Sequence, residues 1–355
     1  MAAPLPKKCV ELGFVENSEE FLLRSRFFPS KLGGRPAWLS LESIPTTEQL
    51  SCVECMKPTI FLLQVYSPCT LKLETFHRTL FIFVCSNPDC CKTNSNKNLH
   101  VFRSQLPREN KFYSSDPSPE IEVQNEVDAS LFNKLCVVCG CLGLKTCSKC
   151  HNVNYCSKEH QTVHWKSGHK VGCNLSKEAD VSTKEVKFDC LFPEMELVTE
   201  PENNESEKDC VEKTDEEKMK EYDEFLKKEN VSQTCGEMSE AELQKMASKE
   251  SENDKQLRRF KKRISQEPEQ VLRYDKGGEP LWIASDPKPE VIPDCKCGAK
   301  RQFEFQVLPH LLSFMNVDKL GASIDWGTLC VYTCSENCSI GNTYSREYIF
   351  KQDVV

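Results

Sequence analysis

A chain of 355 residues with 39% hydrophobic content has room for two or three ordinary domains and a sizeable core. Its formal net charge of −8 argues against the broad basic face of a general nucleic-acid binder and makes a basic partner the more natural one. Met1 to Val10 lacks the apolar stretch of a secretory signal and no run approaches the roughly 20 apolar residues of a membrane span, so a soluble intracellular protein is expected; most of its 22 cysteines sit in close pairs that favour metal over disulfides, with Cys9, Cys69, Cys190, Cys210 and Cys235 left as scattered thiols.

Residues 1–114 are expected to form a strand-rich unit. It contains the turn Gly33-Gly34-Arg35-Pro36-Ala37-Trp38, then Cys52 and Cys55, the run Phe61-Leu62-Leu63-Gln64-Val65, and Thr79-Leu80 leading into Cys85 and Cys90. Ile60 to Tyr66 and Thr79 to Val84 are β-branched and aromatic, and close enough in sequence to be two antiparallel strands. Cys52, Cys55, Cys85 and Cys90 have the outline of a zinc ribbon, with Cys91 an equally reachable fourth ligand. The Gly-Gly-x-Pro-x-Trp turn reads best as a structural turn whose tryptophan anchors the core, against the alternative of an exposed ring that grips a peptide.

Residues 115–134, with Pro117, Pro119 and several acids, read as a linker. Residues 135–174 hold a denser pattern. Cys136 and Cys139 form one CxxC pair and Cys147 and Cys150 a second, while Cys156 and His160 are four apart, as are His169 and Cys173. Eight ligands suffice for two closed tetrahedral zinc sites with no position left for water. Spacing permits either an alternating or a sequential pairing, and His164 is a poorer substitute for His160. Ser157 is a candidate N-cap for a helix running through His160 until Gly168, which would set Cys156 and His160 toward one metal. Gly140 suits the tight turn after Cys139. A block this small needs metal to fold.

Residues 175–240 are dominated by Glu, Asp, Lys and Ser and are expected to be an acidic, largely disordered linker. In residues 241–355, Leu243, Met246, Leu257, Phe260 and Ile264 recur at helical intervals until Pro268. The basic run Arg258, Arg259, Lys261, Lys262, Arg263 on that helix reads as a solvated face, with a nuclear import signal as the rival.

Beyond it the landmarks of the first unit return in order: Gly277-Gly278-Glu279-Pro280-Leu281-Trp282, Cys295 and Cys297, Phe303-Glu304-Phe305-Gln306-Val307, and Thr328-Leu329 leading into Cys334 and Cys338. Strands are expected at Phe303 to Leu308 and Leu329 to Thr333, with a short helix around His310 to Asn316. So many ordered matches indicate a duplicated unit. The expected class is therefore α+β and β-rich: a pseudo-twofold duplicated antiparallel β-unit split between the two ends of the chain, with everything between them inserted. Cys295, Cys297, Cys334 and Cys338 would form a zinc site in the second β-unit, although CxC is tighter than the usual knuckle. Buried, unmetallated thiols are the alternative at both repeated sites. The seam between the halves is expected to be a place where an extended partner segment could add as a strand.

The cysteine and histidine block resembles the MYND zinc finger. That resemblance implies alternation, with Cys136, Cys139, Cys156 and His160 on one zinc and Cys147, Cys150, His169 and Cys173 on the other, and a role in binding proline-containing peptides. Together with Glu11-Leu12-Gly13-Phe14, Phe28-Pro29-Ser30-Lys31-Leu32, Pro268-Glu269-Gln270-Val271-Leu272-Arg273-Tyr274, Ile292-Pro293-Asp294-Cys295 and Ile324-Asp325-Trp326-Gly327, the block makes nearly the whole chain resemble the programmed cell death protein 2 family. The resemblance implies a dedicated chaperone, similar to a yeast ribosome-assembly factor, that captures the newly made small-subunit ribosomal protein lining the messenger entry channel. It would act in cytoplasm and nucleus, including the nucleolus. Its rival is a nuclear adaptor for transcriptional corepressors, linked to cell death or proliferation. No GxGxxG, P-loop or HExxH suggests an enzyme. The lone His77, His100 and His310 lie in no nucleophile motif.

Overall fold

The computed structural model describes residues 9–123, 126–173, 187–202, 251–317 and 322–354. Among the described residues twelve strands run in chain order: β1 (Glu11–Glu16), β2 (Lys31–Leu32), β3 (Ile60–Tyr66), β4 (His77–Val84), β5 (Leu99–Leu106), β6 (Lys145–Thr146), β7 (Asn154–Tyr155), β8 (Met195–Pro201), β9 (Leu272–Tyr274), β10 (Arg301–Val307), β11 (Thr328–Cys334) and β12 (Tyr344–Gln352). Four of them were legible, β3, β4 and β11 as largely apolar runs and β10 as an alternation of Phe303, Phe305 and Val307 with polar residues, and all four cover the expected segments to within two residues. A strand buried on both faces has no polar side to show, and every residue of β4 and β11 is buried.

All strands except β6 and β7 close into one antiparallel barrel, in the order β1-β8-β2-β3-β4-β5-β12-β11-β10-β9 and back to β1. Alternation along β4 sends Leu80, Ile82 and Val84 into the barrel and Phe81 and Phe83 outward. The interior is filled by mainly aliphatic side chains from around the wall, among them Leu32, Val65, Val101, Leu197, Leu272, Val331 and Ile349, with Phe305 beside them. A buried ion pair joins two strands that are not neighbours in that wall, where Arg78 of β4 forks onto Glu304 of β10 at 2.5 and 2.7 Å, both side chains fully enclosed. Burial alone would push the Glu304 carboxyl up, but Arg78 holds it down to about 2.

The landmarks shared by the two ends of the sequence make the same local bonds. Gln64 accepts the Ala37 N–H at 3.0 Å and donates to the Ala37 carbonyl at 3.3 Å; Gln306 does the same with Leu281 at 2.6 and 3.0 Å. A register shift interrupts β3 between Phe61 and Leu63, and β10 between Phe303 and Phe305.

Two expectations are corrected. Residues 175–240 are not linker throughout, because Met195–Pro201 is a barrel strand, paired over six positions with β1 and over two with β2. Neighbours supply its hydrogen bonds, Leu197 is buried and Met195 packs beside it, so a short, partly exposed segment within an acidic stretch is held as a strand. Residues 175–186 and 203–240 lie outside the described residues, as do Leu243, Met246, Cys210 and Cys235. The seams between the two ends are also not open to an added strand, since β12 pairs with β5 on one side and β1 and β8 fill the other.

Helices are few among the described residues. Lys158–His164 (α1) and Lys170–Gly172 (α2) belong to the cysteine-rich block, Glu252–Ile264 (α3) packs on the loop that carries Leu281, Ile283 and Ala284 and on Leu308, and Leu311–Phe314 (α4) answers the expected short helix. A capping box between Ser251 and Asp254 starts α3, which buries Phe260 against Ile283, Ala284 and Leu308. Arg258, Arg259, Lys261 and Lys262 are exposed, the solvated-face reading, while Arg263 pairs with Glu202 at 2.6 Å.

Candidate metal centres

Four groups of side chains bring their ligand atoms within 4.8 Å of one another: Cys136, Cys139, Cys156 and His160; Cys147, Cys150, His169 and Cys173; Cys52, Cys55, Cys85 and Cys90; and Cys295, Cys297, Cys334 and Cys338. Every proposed ligand set is therefore assembled. A tetrahedron with Zn–S bonds near 2.3 Å has sulfur–sulfur edges of about 3.8 Å. The observed sulfur separations are 3.7 Å for Cys139 and Cys156, 3.9 Å for Cys147 and Cys173, 3.7 Å for Cys55 and Cys85, and 3.7 Å for both Cys295–Cys338 and Cys297–Cys334. Disulfides need about 2.05 Å, so these thiols are spaced for a metal between them.

Local structure explains how the central block presents its donors. The Ser157 hydroxyl accepts the His160 N–H and starts α1, placing His160 Nδ1 3.0 Å from Cys156 Sγ and 3.6 Å from Cys136 Sγ. Gly168, at φ +133°, breaks the helical path. Beyond it His169 Nε2 comes to 3.5 Å from Cys150 Sγ, and Cys173 follows one turn later. The pairing alternates, which spacing alone left open. Burial would push the Cys147 thiol up, but the Cys150 backbone N–H, His169 and the Lys149 N–H bring it down to about 6, so the knuckle favours the thiolate that zinc requires.

The leftovers have structural roles. His164 is no ligand: its Nδ1 lies 2.9 Å from the Tyr155 hydroxyl and its ring stacks on His169 at 4.6 Å. Cys141 is buried with its Sγ on the Cys139 carbonyl, and His151 is exposed at a positive-φ position. Cys90, not Cys91, completes the amino-terminal barrel group, because the Cys91 thiol turns away to the Asp325 carbonyl at 3.0 Å. In the carboxy-terminal group the tight CxC still closes, with the Ala299 backbone N–H first among the influences that lower exposed Cys297 to about 7. His77 and His100 are buried and bonded to Tyr66 and Ser51, while His310 packs its edge on Phe314.

Sequence reasoning did not foresee that the central block is docked. The Arg35 guanidinium donates to the Val138 and Val137 carbonyls at 3.1 and 2.7 Å, and Trp38 Nε1 donates to the Gly140 carbonyl at 2.9 Å. Trp38 is 2% exposed, wedged between the block and Phe81, Phe83 and Tyr344. A side chain at Gly140 would press on Arg35 at 3.0 Å, so close approach as well as φ +69° asks for glycine there.

These features define a class: a closed β-barrel with an inserted, docked two-site zinc finger. The MYND finger description matches residues 136–173, the programmed cell death protein 2 N-terminal domain matches residues 9–120, and its C-terminal counterpart matches residues 254–353. The chain belongs to the programmed cell death protein 2 family. It is 47% identical to mouse programmed cell death protein 2 over 99% of this chain and 98% of that one, and 46% identical to the bovine protein over 97% and 96%. A fission yeast (Schizosaccharomyces pombe) protein named "Probable 20S rRNA accumulation protein 4" is 32% identical over 33% of this chain and 32% of its own length. No solved structure matches significantly.

Proposed function

We propose that this protein is a non-enzymatic chaperone of small-subunit ribosome assembly, which binds a newly made, basic small-subunit ribosomal protein and supports its delivery to pre-ribosomes. The observation that supports this most directly is the similarity to a fission yeast protein named for 20S rRNA accumulation. Charge agrees with it: a chain of net charge −8 attracts a strongly basic client at long range and keeps it from indiscriminate contacts with RNA. The MYND finger adds a protein-binding module, so the chain is an adaptor in the coarser sense as well.

We also propose that the barrel is a duplicated five-stranded unit. One copy is β1 to β5 and the other β8 to β12, with β5 beside β12 at one seam and β1 beside β8 at the other. In this reading the copies exchange their first strands: β1 pairs with β9 of the second copy and β8 with β2 of the first. The matching glutamine bonds and strand irregularities support it.

Purification of the tagged, full-length protein from cells tests the client reading. A small-subunit ribosomal protein at equal abundance is the expected result. Corepressor subunits lost on mutation of the finger would overturn it in favour of the nuclear adaptor. Deleting residues 203–250, which keeps β8, is expected to reduce the salt dependence of client binding; an unchanged salt slope would remove charge shielding from the proposal.

A further inference from the structure

The two barrel groups of cysteines differ in what reaches them across the β5–β12 seam. Val101 pairs with Ile82 on β5, and Ile349 with Val331 on β12, so Arg103 and Lys351 stand at matching places two residues further along their strands. Each crosses to a cysteine knuckle of the other half. Arg103 Nη2 donates to Cys338 Sγ at 3.4 Å and Nη1 to the Cys338 carbonyl at 3.2 Å, while Gln105 Nε2 donates to the same carbonyl at 3.3 Å. Lys351 Nζ lies 3.4 Å from Cys91 Sγ and 3.1 Å from the Lys92 carbonyl.

The resemblance ends there. Cys338 is one of the four clustered thiols, whereas Cys91 is not. Lys351 is balanced by Asp353 at 2.9 Å. Arg103 belongs to a triad in which Glu347 lies between two guanidiniums, at 2.7 Å from Arg103 Nε and 2.7 Å from Arg301 Nε, so the cluster carries one more cation than anion. Arg103 and Glu347 side chains are fully enclosed and Arg301 is 8% exposed. An excess buried charge is costly unless something nearby opposes it. Four neutral thiols oppose nothing, whereas a zinc ion held by four thiolates carries a formal charge of about −2.

We infer that the Cys295, Cys297, Cys334 and Cys338 group is a structural zinc site whose outer partner is Arg103, supplied by the amino-terminal half of the barrel. Arg103 is a positioning residue: its fork holds both the sulfur and the carbonyl of Cys338, and its charge answers that of the metal thiolates. Retention of this one metal therefore depends on closure of the β5–β12 seam, and retention at Cys52, Cys55, Cys85 and Cys90 does not depend on Lys351 in the same way. Outer partners of this kind typically change metal affinity about 10- to 100-fold. The inference rests on zinc occupying the barrel groups and not on the identity of any client.

The test uses the full-length chain. Zinc per chain and its release to a chromogenic chelator are measured for the native protein, R103M, R103K and K351M, with circular dichroism reporting the fold and cobalt substitution reporting thiolate-to-metal absorption. With the four groups loaded, the native protein and K351M are expected to hold four zinc ions, and R103M three, or four with one released at least about tenfold faster. R103K is expected to fall between, since one ammonium cannot hold the sulfur, the carbonyl and Glu347 together. Folded R103M that releases all its zinc at native rates overturns the inference; where R103M does not fold, R103K with native release overturns it instead. A native protein holding only two zinc ions, both lost when the finger ligands Cys139 and Cys147 are replaced, also overturns it.

Discussion

Trp38 and Trp282 stand in the same sequence pattern and meet different fates. Trp38 is sealed under the zinc finger, donating to Gly140, with Phe81, Phe83 and Tyr344 around its ring. Trp282 is half-buried beside Phe303, Cys330, Tyr332 and Phe350, and its carbonyl accepts from Gln256 of α3. In the proposed duplication Thr79 aligns with Thr328, which sets Phe81 and Phe83 against Cys330 and Tyr332 as the inner neighbours. What differs is the cover. One apolar face is closed by a module that folds around metal, the other by the loops that carry Trp282 and Ile292, tied to α3 through Gln256.

The largest expected effect breaks the metal-dependent cover. Replacing Cys139 with Ser removes one ligand from a finger whose folding free energy comes mainly from zinc, of the order of 10 kcal/mol or more for such modules. Residues 136–173 should become sensitive to protease, and the outer face of β3 to β5 should bind a hydrophobic dye. Cys297→Ser, at the other half, should leave α3 in place and the dye unbound. Equal dye binding by the two variants would show that the covers are not independent.

A smaller effect sharpens the same contrast. Trp38→Ala opens a cavity at a fully enclosed aromatic contact and should cost about 3–5 kcal/mol in unfolding free energy. Trp282→Ala removes a ring that still meets solvent and should cost roughly half as much. Denaturant unfolding of both variants, with m-values compared, checks the ranking. A larger loss at Trp282 would mean that α3, not the finger, supplies the firmer cover.

How far the sequence displayed this arrangement follows from which groups decide each part. Ligand pairs sit close together, so all four cysteine-rich groups were legible, whereas the choice between Cys90 and Cys91 depended on where Asp325 lies, more than 200 residues away. Strands β3, β4 and β11 show as largely apolar runs because both faces are covered, and β10 shows as an alternation of Phe303, Phe305 and Val307 with Glu304 and Gln306. Strand β5 and strand β12 carry Arg103 and Glu347, which read as surface residues yet are buried against one another at a seam that no local pattern announces. Strand β8 is short and lies in an acidic stretch, and β1 and β2 flank it and supply its pairing. Docking of the finger through Arg35 and Trp38 had no signal beyond the conspicuous turn itself.

The smallest effect separates the halves by pH. Two residues before the aligned threonines, the first half has His77 and the second has Trp326. His77 stacks on Phe28 at 4.1 Å and lies 2.9 Å from the Tyr66 hydroxyl, and burial, with the charge of Arg108 behind it, lowers its pKa from 6.5 to about 4. The folded state therefore prefers the neutral ring, while the unfolded chain takes up a proton near pH 6.5. Its contribution is complete above about pH 6.5 and is lost as pH falls toward 4, at no more than about 1.4 kcal/mol per pH unit. Trp326 has no proton to gain, and its Nε1 donates to the Leu308 carbonyl at 3.2 Å at any pH. Buried His100, also lowered to about 4, and the metal ligands titrate in the native protein and in His77→Phe alike, so the difference between the two isolates His77. Thermal unfolding followed from pH 7.5 to 4.5 should show the native protein losing stability faster than the variant below pH 6.5. Parallel curves would mean that the ring is already protonated in the fold, or that the Phe28 stack opens to admit the charge.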